Sequence, residues 1–236
     1  MPKLEGKVIV VTGASRGIGL AIAKALGREG ARIILVARDR KRLRTAARQV
    51  GEGALAVEAD VTRPADVNRL FLAVRRRHGR LDVLVNSAGV FTYKRFARTT
   101  LKEWRANIET NLTSIFLTVR AALPLFAKSA APHLVNILSI SSIQAFANCS
   151  AYSAAKFGAL GLTRVLRREL RSHRIRVTAV LPGTTDTRMV KAFDFPVNRS
   201  KLLQPGDVAE AVLGALLQPP RASVEEILLM PSSGAV

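Results

Sequence analysis

The stretch VVTGASRGIG, Val10 to Gly19, decides how the rest of the chain is read. A β-branched run ends at Thr12, and three glycines, Gly13, Gly17 and Gly19, follow before an amphipathic stretch of helical period. Glycine permits a tight turn and a close backbone approach. A strand that passes through such a turn into a helix offers free N–H groups and the positive end of the helix dipole to a pyrophosphate. The expected element is therefore a dinucleotide-binding turn at the first strand of an α/β domain.

The rest of the chain repeats the pattern. Short apolar runs recur as KVIVVTG, ARIILVA, ALAVEAD, LDVLVNS, HLVNILS, RIRVTAV and EEILLM, with amphipathic stretches between most of them. Near-continuous apolar strands separated by helices imply a parallel sheet covered on both faces. The expected fold is α/β: a Rossmann-type doubly wound seven-stranded parallel sheet with helices on both faces, forming a single domain over residues 1–236. The longest stretch without clear periodicity, 184–204, reads as a loop over the substrate.

Composition narrows the function. No apolar run is long enough to span a membrane, and the first residues lack a secretory signal, so a cytoplasmic protein is expected. The one cysteine, Cys149, excludes an internal disulfide and a zinc-type cysteine cluster. His78, His133 and His173 are far apart and match no metal spacing, so no metal is expected, and each reads as a surface residue at an element end. Lys and Arg number 37 against 17 Asp and Glu, a net charge of +20. The basic residues are spread along helix faces and aromatic residues are only 5%, which leaves little base-stacking surface. We read the charge as solvated helix surface that favours phosphorylated small molecules or an acidic carrier, not specific nucleic-acid binding.

The second strand indicates the cofactor. An acid at its end would bind an adenosine ribose diol. The strand is expected to end at Ala37, which carries no charge, and Arg38 follows it. Arg16, inside the glycine turn, adds a second guanidinium, and two guanidiniums suit a 2′-phosphate. NADP(H) is therefore expected, with Asp39 opening the next helix.

With these motifs on the page, the chain resembles the short-chain dehydrogenase/reductase family over nearly its whole length. The motifs occur in order: TGASRGIG, ADV at 59–61, NSAG at 86–89, Asn111 in ETNLTSIF, Ser139, YSAAK at 152–156 and PGTTDT at 182–187. Ser87 stands where the commoner pattern has Asn. The resemblance implies that Asp60 and Val61 lie beside the adenine, that Asn86, Ala88 and Gly89 follow the cofactor, and that Thr187 holds the nicotinamide carboxamide. It extends the cofactor wall to Ser15, Ile18, Pro182, Gly183 and Thr185, and to Tyr152 and Lys156.

The family pattern puts its serine thirteen residues before its tyrosine, which here is Ser139, at the carboxyl end of the fifth strand, where open α/β sheets bind ligands. Tyr152 and Lys156 are four apart on a helix and share a face. A nearby ammonium and a positive nicotinamide both favour the phenolate. Tyr152 would give its proton to a carbonyl oxygen as hydride reaches carbon, while Ser139 donates a hydrogen bond to the same oxygen. The resemblance adds that Lys156 holds the nicotinamide ribose and that Asn111 anchors a water leading to solvent. Ser141 and Ser142 would line the mouth or hydrogen-bond the turn, Ser150 reads as a helix N-cap, and Ser153 as structural.

The expected reaction is reduction of a ketone or 3-oxo compound, or oxidation of the matching alcohol. A 3-oxoacyl-carrier-protein reductase stands second, because the C-terminus departs from that branch's ending while the basic surface suits an acidic acyl carrier protein. Small residues along the Tyr152 helix, with the resemblance, imply a homodimer or homotetramer. The rivals from other classes are a catalytically silent NADP(H) sensor and a nucleic-acid-binding protein.

Overall fold

The computed structural model describes residues 3–234. Seven strands form one parallel sheet: β1 (Val8–Thr12), β2 (Arg32–Ala37), β3 (Leu55–Glu58), β4 (Val83–Asn86), β5 (His133–Ile137), β6 (Arg176–Pro182) and β7 (Glu226–Leu229). Their spatial order is β3-β2-β1-β4-β5-β6-β7, and every pairing is parallel. All seven apolar runs become strands. The central ones are buried at every position, β1 and β5 included, because helices cover both faces.

The alternation along β1 shows how the faces divide. Val8 and Val10 join one core, built with α3 (Pro64–His78), α5 (Ser114–Phe126) and α6 (Ser150–Glu169). Ile9 and Val11 join the other, built with α1 (Gly17–Arg28), α2 (Arg40–Val50) and α7 (Pro205–Leu216). Period-two alternation of apolar residues on both faces is what makes a strand read as a continuous apolar run. A further helix, α4 (Leu101–Ile108), opens with a capping box between Thr100 and Glu103 and runs through a π-helical turn, Glu109–Thr113, into α5. β2 and β4 lie on opposite sides of β1, so the sheet order reverses there. A crevice opens at such a point beyond the strands' carboxyl ends.

His133 corrects the sequence reading. It begins β5, but β5 is an inner strand, and its first residue is registered between Val83 and Arg176. Neighbours on both sides therefore bury the imidazole, whose Nε2 lies 2.8 Å from Thr178 Oγ1. Burial, with repulsion from Arg176, pushes its pKa down from 6.5 to about 3. Between those values the unfolded chain binds more protons than the folded one, so stability falls as pH drops through this window. His133→Gln, which keeps a hydrogen-bonding group but cannot titrate, is expected to remove up to about 1.4 kcal/mol per pH unit of that slope. Denaturant melts at about pH 6, 5 and 4 test this, and an unchanged slope refutes it. His78 and His173 do lie at element ends, half-buried and exposed.

Candidate active site

The loops beyond β1, β4, β5 and β6 enclose a cavity of ≈ 820 Å³. Its phosphate end is built by glycines. A Cβ on Gly13 would lie 2.8 Å from Ala88 Cα and the Ser87 carbonyl, and one on Gly19 would lie 2.6 Å from the Gly13 carbonyl. The turn is thus packed too tightly for any other residue at either place. Helix α1 then starts at Gly17 with no side-chain cap and no acid in its first turn. Its leading N–H groups remain open to an anion, which fits a pyrophosphate. Gly13, Ser15, Arg16, Gly17, Ile18 and Gly19 all line the cavity.

Cations gather at the neighbouring corner. β2 ends at Ala37, and Asp39 caps α2 by accepting from the Arg42 amide at 3.0 Å, both as the sequence indicates. Arg16, Arg38 and Arg42 line the cavity together. Arg38 Nη1 lies 3.7 Å from Asp60 Oδ2. Burial lowers the pKa of Arg16, and the charges of Arg188 and Arg42, with Arg38 behind them, add to the effect against Asp39. Guanidiniums that repel one another at a cavity wall are the donor set of an anion site. Arg42 and Arg188 were not picked out from sequence. Asp60 and Val61 sit beside this corner, with Asp60 Oδ1 fixed by the Thr62 amide and hydroxyl.

Most other expected contacts also face the cavity, namely Ala88, Gly89, Pro182, Gly183, Thr185 and Thr187. Asn86 does not. Its side chain is buried, donating to Asn136 Oδ1 at 2.9 Å and accepting from Thr118 Oγ1 at 2.9 Å. It ties β4 to β5 and α5 beneath the cavity floor.

At the other end, Ser139, Tyr152 and Lys156 meet. Ser139 Oγ accepts from the Ser141 amide at 3.0 Å, which leaves its own O–H to donate. Lys156 is buried, its Nζ donating to the Ile137 carbonyl at 3.0 Å and standing 5.6 Å from the Tyr152 ring centre. Burial lowers the Lys156 pKa to about 8. Burial pushes the Tyr152 phenol up to about 12, with the Ser139 hydroxyl opposing. The sequence reading has the Lys156 ammonium and a positive nicotinamide together favouring phenolate. In the chain alone the ammonium is directed to the Ile137 carbonyl, and burial outweighs the Ser139 hydroxyl at the phenol.

Asn111 sits in the π-helical turn, a distortion found frequently at functional sites. Its amide is engaged on both sides. Oδ1 accepts from the Val90 amide at 3.1 Å, and Nδ2 donates to the Val90 carbonyl at 2.9 Å. The side chain is therefore tied to the loop after β4.

Ser150 is another correction. The residue at the cap position of α6 is Cys149, which makes no side-chain cap, and Ser150 is already inside the helix with its hydroxyl buried and unpaired. The turn into α6 passes through Asn148 at φ 62°. Ser141 lines the cavity, while Ser142 is buried and closes the turn through its amide to the Ser139 carbonyl at 2.9 Å. Sequence reasoning missed Phe91 and Tyr93, which line the cavity directly after the NSAG motif.

Three comparisons place this geometry. The model of the short chain dehydrogenase family matches residues 7–195. An uncharacterized oxidoreductase of Staphylococcus aureus is 38% identical over 98% of this chain and 100% of its own. A metagenomic short-chain oxidoreductase solved in complex with NADP superposes with a TM-score of 0.86 at 35% identity, covering 98% of this chain and 99% of that one. A variant of the actinorhodin polyketide ketoreductase solved with NADPH gives 0.87 at 31%, covering 96% of each. The chain belongs to the short-chain dehydrogenase family of oxidoreductases.

Proposed function

We propose that the protein is an NADP(H)-dependent oxidoreductase that interconverts a carbonyl compound and a secondary alcohol. One observation carries this reading: a single cavity holds Ser139, Tyr152 and Lys156 at one end and the Arg16, Arg38 and Arg42 cluster at the other. The NADP and NADPH bound to two of the structural relatives support the cofactor. When bound, the nicotinamide supplies the hydride. The chain's residues handle the proton and the oxygen. Tyr152, protonated at neutral pH, gives its proton to the carbonyl oxygen. The Ser139 hydroxyl donates to the same oxygen as charge develops. Lys156 orients the nicotinamide ribose and serves proton return together with a water anchored at Asn111.

The +20 charge and the likeness to a ketoreductase favour a second substrate reading, a 3-oxoacyl thioester on an acidic carrier protein. Exposed apolar side chains on the Tyr152 helix α6, Phe157 at 46% and Val165 at 50%, together with Phe116 on α5 at 46%, support a homodimer or homotetramer. The test is NADPH oxidation across diketones, steroids, sugars and 3-oxoacyl thioesters, free and carrier-bound. Turnover of a ketone is the expected result. Tight NADPH binding with no turnover anywhere would favour the sensor reading instead.

A further inference from the structure

The cavity wall beside Tyr152 is built from two segments that are held very differently. Along residues 90–94 the ties alternate. Val90 exchanges both its backbone bonds with the Asn111 amide. Thr92 Oγ1 accepts from the buried Asn107 at 2.8 Å. Lys94 donates its N–H to the Asn148 carbonyl at 2.6 Å and its Nζ to Glu103 at 2.8 Å. The residues between them, Phe91 and Tyr93, face the cavity. This wall is fixed at every second residue.

The facing segment belongs to the 184–204 loop. Its ends are pinned, with the Leu203 amide donating to the Thr184 carbonyl at 3.2 Å and the Asp186 amide to the Leu203 carbonyl at 2.7 Å. Its tip is not. Among the described residues, none of Asp194 to Val197 makes a backbone hydrogen bond. Few such bonds mark a segment that opens at low cost. The tip is held instead by rings. Phe193 meets Phe91 edge-on at 5.4 Å between centres and Tyr93 at 5.2 Å, and Phe195 meets Tyr93 at 5.9 Å. Phe91 in turn stands edge-on to Tyr152 at 4.8 Å.

We propose that Phe91, Tyr93, Phe193 and Phe195 form an aromatic clamp over Tyr152, and that the substrate is a ketone bearing a planar aromatic ring. This rests on the carbonyl-reductase reading above. A substrate reaching Tyr152 between the two segments must part these rings, and so breaks their edge-to-face contacts. A planar aromatic guest restores contacts of the same kind. A saturated ring of equal size restores buried area but not the quadrupole interaction. Two of the cations at this end are paired with carboxylates, Lys94 with Glu103 and Arg199 with Asp186.

The test compares phenyl methyl ketone with cyclohexyl methyl ketone, which share a carbon skeleton, using NADPH-loaded protein. The wild type is expected to favour the aryl ketone by about tenfold in kcat/KM. In Phe193→Leu and Phe91→Leu that ratio falls towards one, mainly through KM. Phe193 is on the surface loop, so its variant tests the clamp even where Phe91→Leu fails to fold. A wild-type ratio near one, or a ratio unmoved in the variants, overturns the clamp. A second arm separates this from failure of the reductase reading. Binding of benzamide, which these residues cannot reduce, is compared with that of cyclohexanecarboxamide by calorimetry. Preference for benzamide with no ketone turnover supports the clamp and refutes the reductase. Equal binding of the two amides refutes the clamp.

Discussion

Tyr152→Phe is expected to lower kcat/KM for ketone reduction by about 10²- to 10⁴-fold, the range supplied by a positioned general acid, while leaving NADPH affinity within a few-fold. The substitution removes one oxygen and keeps the ring. The edge contact with Phe91 at 4.8 Å survives, and so does the α6 backbone that places Lys156. What disappears is the proton donor beside Ser139. The phenol pKa of about 12 keeps the proton in place across neutral pH, so reduction needs no ionisation of this group beforehand. Lys156 behaves differently. With its pKa lowered to about 8, it is protonated below that value and loses its charge above it. The NADPH dissociation constant should therefore rise above pH about 8 in the wild type and show no such break in Lys156→Met. If Tyr152→Phe retains wild-type turnover, the proton donor lies elsewhere and the roles assigned to Ser139 and Lys156 fall with it.

The sequence shows the parts of this molecule that depend on local spacing. Seven apolar runs stand out because a sheet covered on both faces has no polar side to interrupt them. The glycine turn and the distances from Ser139 to Tyr152 and from Tyr152 to Lys156 are fixed along single elements, so they read directly. What stayed hidden depends on elements meeting. Arg42 looked like one of many basic residues on a solvated helix; only the packing of α2 beside the end of β2 turns it to the cavity. Phe91 and Tyr93 lie about a hundred residues from Phe193 and Phe195, and no local pattern pairs them. His133 was misjudged because a strand end is exposed only where nothing packs over it, and here an inner strand places the ring against Thr178 of β6, out of solvent. Asn86 ends β4 at the cavity's edge in sequence, yet Asn136 and Thr118 draw its side chain below the floor.

The combined variant Arg16→Ala/Arg38→Ala is expected to weaken NADPH binding by about 10²- to 10³-fold and NADH binding by far less. The two cofactors differ by one phosphate, so the ratio of their dissociation constants isolates the contacts to that group. A hydrogen bond to a charged group contributes roughly 1.5–3 kcal/mol, or about ten- to a hundredfold each. Two guanidiniums would give about 10²- to 10⁴-fold, and Arg42, left in place, holds the loss to the lower part of that range. Asp60 sharpens the prediction. It lies 3.7 Å from Arg38, and without Arg38 its carboxylate is left to repel the phosphate. Arg38→Ala alone should thus cost NADPH more than the lost contact, and adding Asp60→Asn should recover part of the difference. Arg38 is 66% exposed, so salt screens its field, and NADPH affinity should fall more steeply with ionic strength than NADH affinity in the wild type. The two slopes should converge in the double variant. Thermal stability should change little, because Arg38 is largely solvent-exposed and stands 3.7 Å from Asp60, and ion pairs at the surface are worth about 0–1 kcal/mol. Equal wild-type affinity for NADH and NADPH would show that the guanidiniums serve another anion, and the cofactor assignment would then rest on the relatives alone.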